Sequence, residues 1–90
     1  MTKHPSAQKR HRQSVKRQAR NQAIRSRVRT VVRRVRESIE ARNSTEAHDR
    51  LSSATRAIDK AVTKGVLHRN TAARKISRLT RAVQKLTASA

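Results

Sequence analysis

The sequence predicts an all-α fold, a three-helix bundle whose long first helix projects its first half as a basic arm. Three observations predict it. Apolar residues recur at spacings of three and four in three successive segments, one buried stripe per helix. Nothing alternates with period two over a useful length, so no strand is expected. The only Gly, Gly65, and the only Pro, Pro5, stand where helices are expected to end or begin.

The first stripe is Ile24, Val28, Val31, Val32, Val35 and Ile39. Ser6 after Pro5 is a plausible start, and the helix, roughly residues 7–42, would run to about 50 Å. Before Ile24 the bases are read as surrounding the helix, with Arg10, Arg17 and Arg20 on the apolar side and Lys9, Arg12 and Lys16 around it. A helix polar all round has no core to stabilise it. Residues 1–22 are therefore expected to form an arm that frays alone, with no contact inside the chain to hold it, and residues 23–90 a single bundle domain. Asn43 and Ser44 break the first helix, and Glu46 three residues after Asn43 suggests a capping box. The second stripe is Ala47, Leu51, Ala54, Ile58, Ala61 and Val62, with Gly65 as the signal for the helix end. Asn70 or Thr71 is the expected cap of a third helix, whose stripe is Ala72, Ala73, Ile76, Leu79, Val83 and Leu86.

Composition then bounds the function. The chain has 90 residues, 24 Lys and Arg against 5 Asp and Glu, a formal net charge of +19, no aromatic residue and no Cys. Val, Ile and Leu number only 16, so the core is thin and the chain's own charge opposes the compact state. The charge is segregated. Residues 1–36 hold 13 bases and no acid, residues 37–67 hold all five acids and five bases, and residues 68–90 hold six bases and no acid. A surface charged only for solubility mixes both signs. The two ends read as facing a polyanion and the neutral middle as turned to solvent, so that Arg50→Glu is expected to do little. Of the 24 bases, 17 are Arg, whose guanidinium forks on phosphate and stacks on bases. Arg74, Arg78, Arg81 and Lys85 form one row at one-turn spacing, opposite the apolar stripe of their helix. Arg25, Arg29, Arg33 and Arg36 form another, with Arg27 and Arg34 on the other flank of the first stripe.

Other classes fit poorly. Absence of Cys removes disulfide, thiolate-zinc and thiol chemistry, and no run of 18 apolar residues exists to span a membrane. No apolar N-terminal segment suggests secretion, so the cytoplasm is the expected compartment. His4, His11, His48 and His68 share no metal-ligand spacing, and surface or ligand-facing imidazoles are the plainer reading. His48-Asp49 near Ser52 and Ser53 would be a poor hydrolytic set, since neighbours on a helix point about 100° apart. Neither a cofactor nor a small-molecule substrate is expected. A membrane-active peptide would carry aromatics or Leu on its apolar side. The rival within polyanion binding is a DNA-binding nucleoid or histone-like protein. It would need a self-association surface, for which little apolar material is left; a monomer is expected.

Residues 57–61 (Ala-Ile-Asp-Lys-Ala), Lys64-Gly65-Val66-Leu67-His68-Arg69-Asn70-Thr71-Ala72-Ala73-Arg74-Lys75 and Ser77-Arg78-Leu79 closely resemble the bacterial small-subunit ribosomal protein family numbered twenty. The start, Ser6-Ala7-Gln8-Lys9-Arg10-His11-Arg12-Gln13, is also similar to that family's opening. The resemblance covers essentially the whole chain, and its specific part is Gly65 to Leu79. It implies a three-helix bundle with a long first helix, a structural role in the small ribosomal subunit without enzyme activity, and direct binding to 16S ribosomal RNA early in assembly. The 5′ domain and the long penultimate stem are the implied RNA elements. By position, Lys9, Arg10, Arg12, Lys16 and Arg17 would be contacts of the arm, and His68, Arg69, Asn70, Arg74, Lys75, Ser77 and Arg78 contacts at the start of the third helix. Arg20, Arg25, Arg27, Arg29, Arg33, Arg34, Arg81 and Lys85 join them from the basic rows. Two departures stand out. His4-Pro5 replaces the usual lead-in, and Ile76 stands where another base is common, suggesting slightly more core.

Overall fold

The computed structural model describes residues 5–89; the expectation attached to His4 lies outside them. Three helices make up the fold: α1 (Pro5–Glu40), α2 (Ser44–Thr63) and α3 (Arg69–Ala88), with no strand among the described residues. The molecule measures 67 × 22 × 15 Å with a radius of gyration of 18.0 Å, against about 12 Å for a compact chain of this length. The excess is α1. Its 36 residues extend about 54 Å, and only the part from about Ile24 onward has a partner to pack on. Residues 6–20 are exposed throughout.

Helix α2 is the element on which the other two pack, and α1 and α3 touch each other far less. The segment expected to turn to solvent is thus the centre of the bundle, although its charged residues do lie outside. It can be central because its buried positions are small: Ala47, Ala54, Ala57 and Ala61, with Ile58 the one large side chain. Alanines let helix backbones approach closely, toward the short end of the usual 8–10 Å range. Against them α1 sets Val28, Val31 and Val35, and α3 sets Ala72, Leu79, Val83 and Leu86. Ile24, Val32, Ile39, Leu51, Val62 and Ile76 pack around this core, half-buried. Ala57 and Ser38 are buried members the periodicity did not supply. Ser38 is tolerated at 2% exposure because its hydroxyl donates to the Arg34 carbonyl at 3.0 Å. Ala73, expected in the third stripe, is exposed: one residue on from Ala72, it points about 100° away from the core.

The connections show why the helices stop. At the end of α1, Arg42 N–H donates to the Ile39 carbonyl and Asn43 N–H to the Ser38 carbonyl, each at 3.0 Å. This is a Schellman motif with Arg42 in the left-handed position at φ 55, where Gly is usual. Asn43 then caps α2 as expected. Its side-chain oxygen accepts from Glu46 N–H at 3.1 Å, and its amide donates to the Glu46 carboxylate at 3.0 Å. The end of α2 repeats the motif with Gly65 at φ 74; Gly65 N–H reaches Val62 O and Val66 N–H reaches Ala61 O, each at 2.9 Å. The cap of α3 is neither Asn70 nor Thr71. His68 takes the extended cap conformation, and its Nδ1 accepts from Asn70 N–H at 3.1 Å, an imidazole doing what a hydroxyl or amide does elsewhere.

Arg50 corrects another expectation. It is half-buried, paired with Glu46 one turn back, and donates through Nη1 to the Arg34 carbonyl of α1 at 3.0 Å. Arg50→Glu removes this link and sets a second acid beside Glu46, so it should lower stability by about 1 kcal/mol, as read by urea denaturation followed by circular dichroism. The two Schellman positions give a paired expectation. Gly65→Ala meets nothing within 4 Å, so its whole cost is the left-handed backbone, about 1–2 kcal/mol. Arg42→Gly relieves the same strain and should raise stability by about 0.5–1 kcal/mol. Equal effects of the two substitutions in chemical denaturation would refute this account of the turns.

Candidate nucleic-acid interface

Every Lys and Arg among the described residues is exposed except half-buried Arg50. This follows from the core's composition, since a thin apolar seam has no place to neutralise a cation. Which side each cation occupies is then set by helical register. Because α1 runs unbroken from Pro5, its residues advance by about 100° each. Lys9, Arg10, Arg12, Lys16, Arg17 and Arg20 therefore share an arc of about 160°. The reading of bases on every side is corrected: among the described residues, the remaining circumference of the arm carries none. The basic arc leans toward the side of α1 that, further along, meets α2.

Past Arg20 the charge crosses the helix. Arg25, Arg29, Arg33 and Arg36 occupy the flank and back of α1, away from the core, while Arg27 and Arg34 continue the line of the arm's bases. Arg36 belongs to this row by position, although it was not among the expected contacts. Arg33 shares its charge with Glu37 through an exposed pair at 3.5 Å, worth little in water.

The second set of cations surrounds the α2–α3 connection. Val66 and Leu67 tuck half-buried against the core, and this fixes the turn so that Lys64, His68, Arg69 and Asn70 stand out from it. His68 is only partly free, because Nδ1 serves as the helix cap; Nε2 remains to meet a ligand. The first turn of α3 has no acid, so its unpaired N–H groups add partial positive charge beside Arg69. Further along α3, Arg74, Lys75, Arg78, Arg81 and Lys85 are exposed, and Ser77 is half-buried. Arg74, Arg78, Arg81 and Lys85 keep the one-turn row, on the side opposite Leu79 and Val83.

The arm and this turn meet. Arg20 Nη2 lies 3.5 Å from the Lys64 carbonyl and 3.3 Å from Asn21 Oδ1, and Asn21 is the first half-buried residue of α1. The expectation that nothing inside the chain touches the arm fails at its last turn: Arg20 interacts with the negative end of α2. Basic residues separated by more than forty positions in sequence thus border one concave corner, with the bundle above and the arm's basic side below. No group of three His, Cys, Asp or Glu residues that could hold a metal occurs among the described residues, and no described helix is long and apolar enough to cross a membrane.

A family model described as Ribosomal protein S20 matches residues 2–84. The chain belongs to the ribosomal protein S20 family. Among its relatives, small ribosomal subunit protein bS20 of Nitratidesulfovibrio vulgaris is 49% identical over 86 residues, covering 96% of this chain and 99% of the relative. The protein of the same name from Geobacter metallireducens is 46% identical over 86 residues, with the same coverage. That of Dinoroseobacter shibae is 48% identical over 88 residues, 98% of this chain and all of the relative. The S20 match takes in the arm, the concave corner and every base of α3 but Lys85, and the resemblance carried by Gly65 to Leu79 holds over nearly the full length.

Since the cations of α3 touch nothing within the chain that holds the fold, Arg74→Gln with Arg78→Gln should leave the thermal unfolding midpoint unchanged. The same pair should elute from a heparin column at clearly lower salt. A lowered midpoint would mean that these side chains are structural.

Proposed function

We propose that this member of the S20 family is a structural constituent of the small ribosomal subunit, binding directly to 16S ribosomal RNA and supporting its folding early in assembly. The carrying observation is the acid-free rows of exposed Arg and Lys on α1, on α3 and around the α2–α3 turn, in a chain related over nearly its whole length to small-subunit proteins. The arm, residues 1–22, docks on RNA as a cationic rod, and residues 23–90 form the bundle that anchors it. Lys9, Arg10, Arg12, Lys16 and Arg17 meet phosphates from the arm. Arg69, Arg74, Lys75 and Arg78 meet them from α3, with His68, Asn70 and Ser77 as neutral hydrogen-bonding neighbours. Two cationic sides, one in the concave corner and one on the back of α1, suit two RNA elements, for which the 5′ domain and the penultimate stem are the proposed pair. The protein works as a monomer apart from the ribosome, in the cytoplasm, and carries out no reaction of its own.

Sedimentation of a cell lysate should bring the protein down with small subunits and assembled ribosomes; recovery with chromosomal DNA instead would overturn the reading. In vitro, neutralisation of about 8–12 phosphates gives a slope of log affinity against log salt on the order of −6 to −10. Deletion of residues 1–22 should flatten that slope by about 4–5, for the six phosphate contacts of Lys9, Arg10, Arg12, Lys16, Arg17 and Arg20 at about 0.7–0.9 each, and leave the unfolding transition of the bundle in place. An unchanged slope would show the arm to be idle.

A further inference from the structure

Opposite its bases, the arm has a side without charge. Gln8, His11, Val15, Gln18, Ala19 and Gln22 fall within an arc of about 100°, all exposed, over about 21 Å of helix. Val15, at 51% exposure, is the exposed large hydrophobic of the described residues. The strip is bordered by Arg12 and Lys16 along one edge and runs into Arg25 and Arg29 past Gln22, while Arg10 and Arg17 lie round the helix toward the bundle side. It points away from the bundle, so neither α2 nor α3 covers it.

We propose that this uncharged strip lies in the minor groove of an A-form RNA helix and is what makes the chain prefer RNA to DNA; the inference rests on the RNA reading above. The argument is one of fit. The A-form minor groove is wide and shallow and displays 2′-hydroxyls and base edges. A helix face of about 10–12 Å diameter can lie on it if its side chains are short or flexible and uncharged. Ala19 and Val15 permit close approach to the sugars. The glutamine amides each donate and accept, as the 2′-hydroxyl does. Arg12 and Lys16 at its border, and Arg25 and Arg29 beyond its end, reach the phosphates that flank the groove. B-form DNA offers no equivalent, because its minor groove, about 6 Å wide, does not admit a helix and lacks the hydroxyl. A second copy of this chain is a worse occupant: two surfaces lying beside cations repel, and one Val with one Ala falls far short of the apolar core of a stable dimer.

The test compares the full-length chain with its Gln8→Ala/Gln18→Ala/Gln22→Ala variant. Alanine strengthens the helix, so a loss cannot come from unfolding the arm. Each is titrated with a mixed-sequence RNA duplex of about 20 base pairs and with the DNA duplex of the same sequence, at several salt concentrations. The unsubstituted chain should bind the RNA duplex at least about tenfold more tightly than the DNA. The variant should lose about tenfold on RNA and little on DNA, as expected for a few lost hydrogen bonds, with the salt slope unchanged because no phosphate contact is removed. An RNA preference that survives in the variant, or that is absent from the unsubstituted chain, overturns the inference. So does a self-association, seen by analytical ultracentrifugation, that the variant abolishes. Failure of the unsubstituted chain to bind either duplex with a steep salt slope would instead count against the proposed function itself.

Discussion

The seam between α1 and α2 holds together a chain of formal net charge +19, and the rest of the structure depends on it. Without aromatic residues the seam cannot be made of large side chains, so it is made of close approach. Four buried alanines of α2 receive Val28, Val31 and Val35, and Ile58 fills the centre. Dispersion and burial over so few atoms are small against the conformational entropy of the chain. Electrostatics do not help. The ion pairs among the described residues, Arg33 with Glu37 and Arg50 with Glu46, each join residues of a single helix. No ion pair among the described residues joins two helices, and the cations that do link α1 with α2, Arg50 and Arg20, donate to backbone carbonyls.

The acids are placed by the same balance. Glu46 and Asp49 stand in the first turns of α2, where the helix dipole favours them, and Glu37 and Glu40 lie beside them at the end of α1. This end is the far end of α1 from the arm. Acid is thus withheld from the arm and from α3, and the fifth acid, Asp59, lies toward the end of α2. The consequence is a molecule with a polarity along its length, from a self-sufficient acid-bearing end to a basic end whose charge nothing within the chain relieves.

Much of this was legible in the sequence. The three stripes announce themselves by period, and Asn43 with Glu46 and Gly65 announce two of the turns, because amide caps and left-handed glycines are strong local signals. The parts that were not legible have specific reasons. Arg42 occupies a left-handed position without being Gly, so no residue type marks it. His68 caps α3 through a ring nitrogen that also suits ligand binding, and its type alone does not say which. Ser38 is polar and enters the core because it satisfies its own hydroxyl on Arg34, a bond that only the folded helix supplies. Arg50 looks like any surface base of a neutral segment until α1 brings a carbonyl to it. For the interface, the residue types were evident and their sides were not. The arm's bases look scattered until an unbroken helix from Pro5 gathers them on one arc and leaves the other bare.

The claim beneath all of this is that the cations oppose the fold and await an external anion. The most direct measurement is the thermal unfolding midpoint of the free protein as NaCl is raised from about 20 mM to about 500 mM, a range over which the screening length falls from about 20 Å to less than 5 Å. If the charge is unrelieved self-repulsion, screening relieves it and the midpoint rises steadily with salt. A midpoint that falls with salt would mean that attractive charge pairs within the chain stabilise it, and would contradict the account.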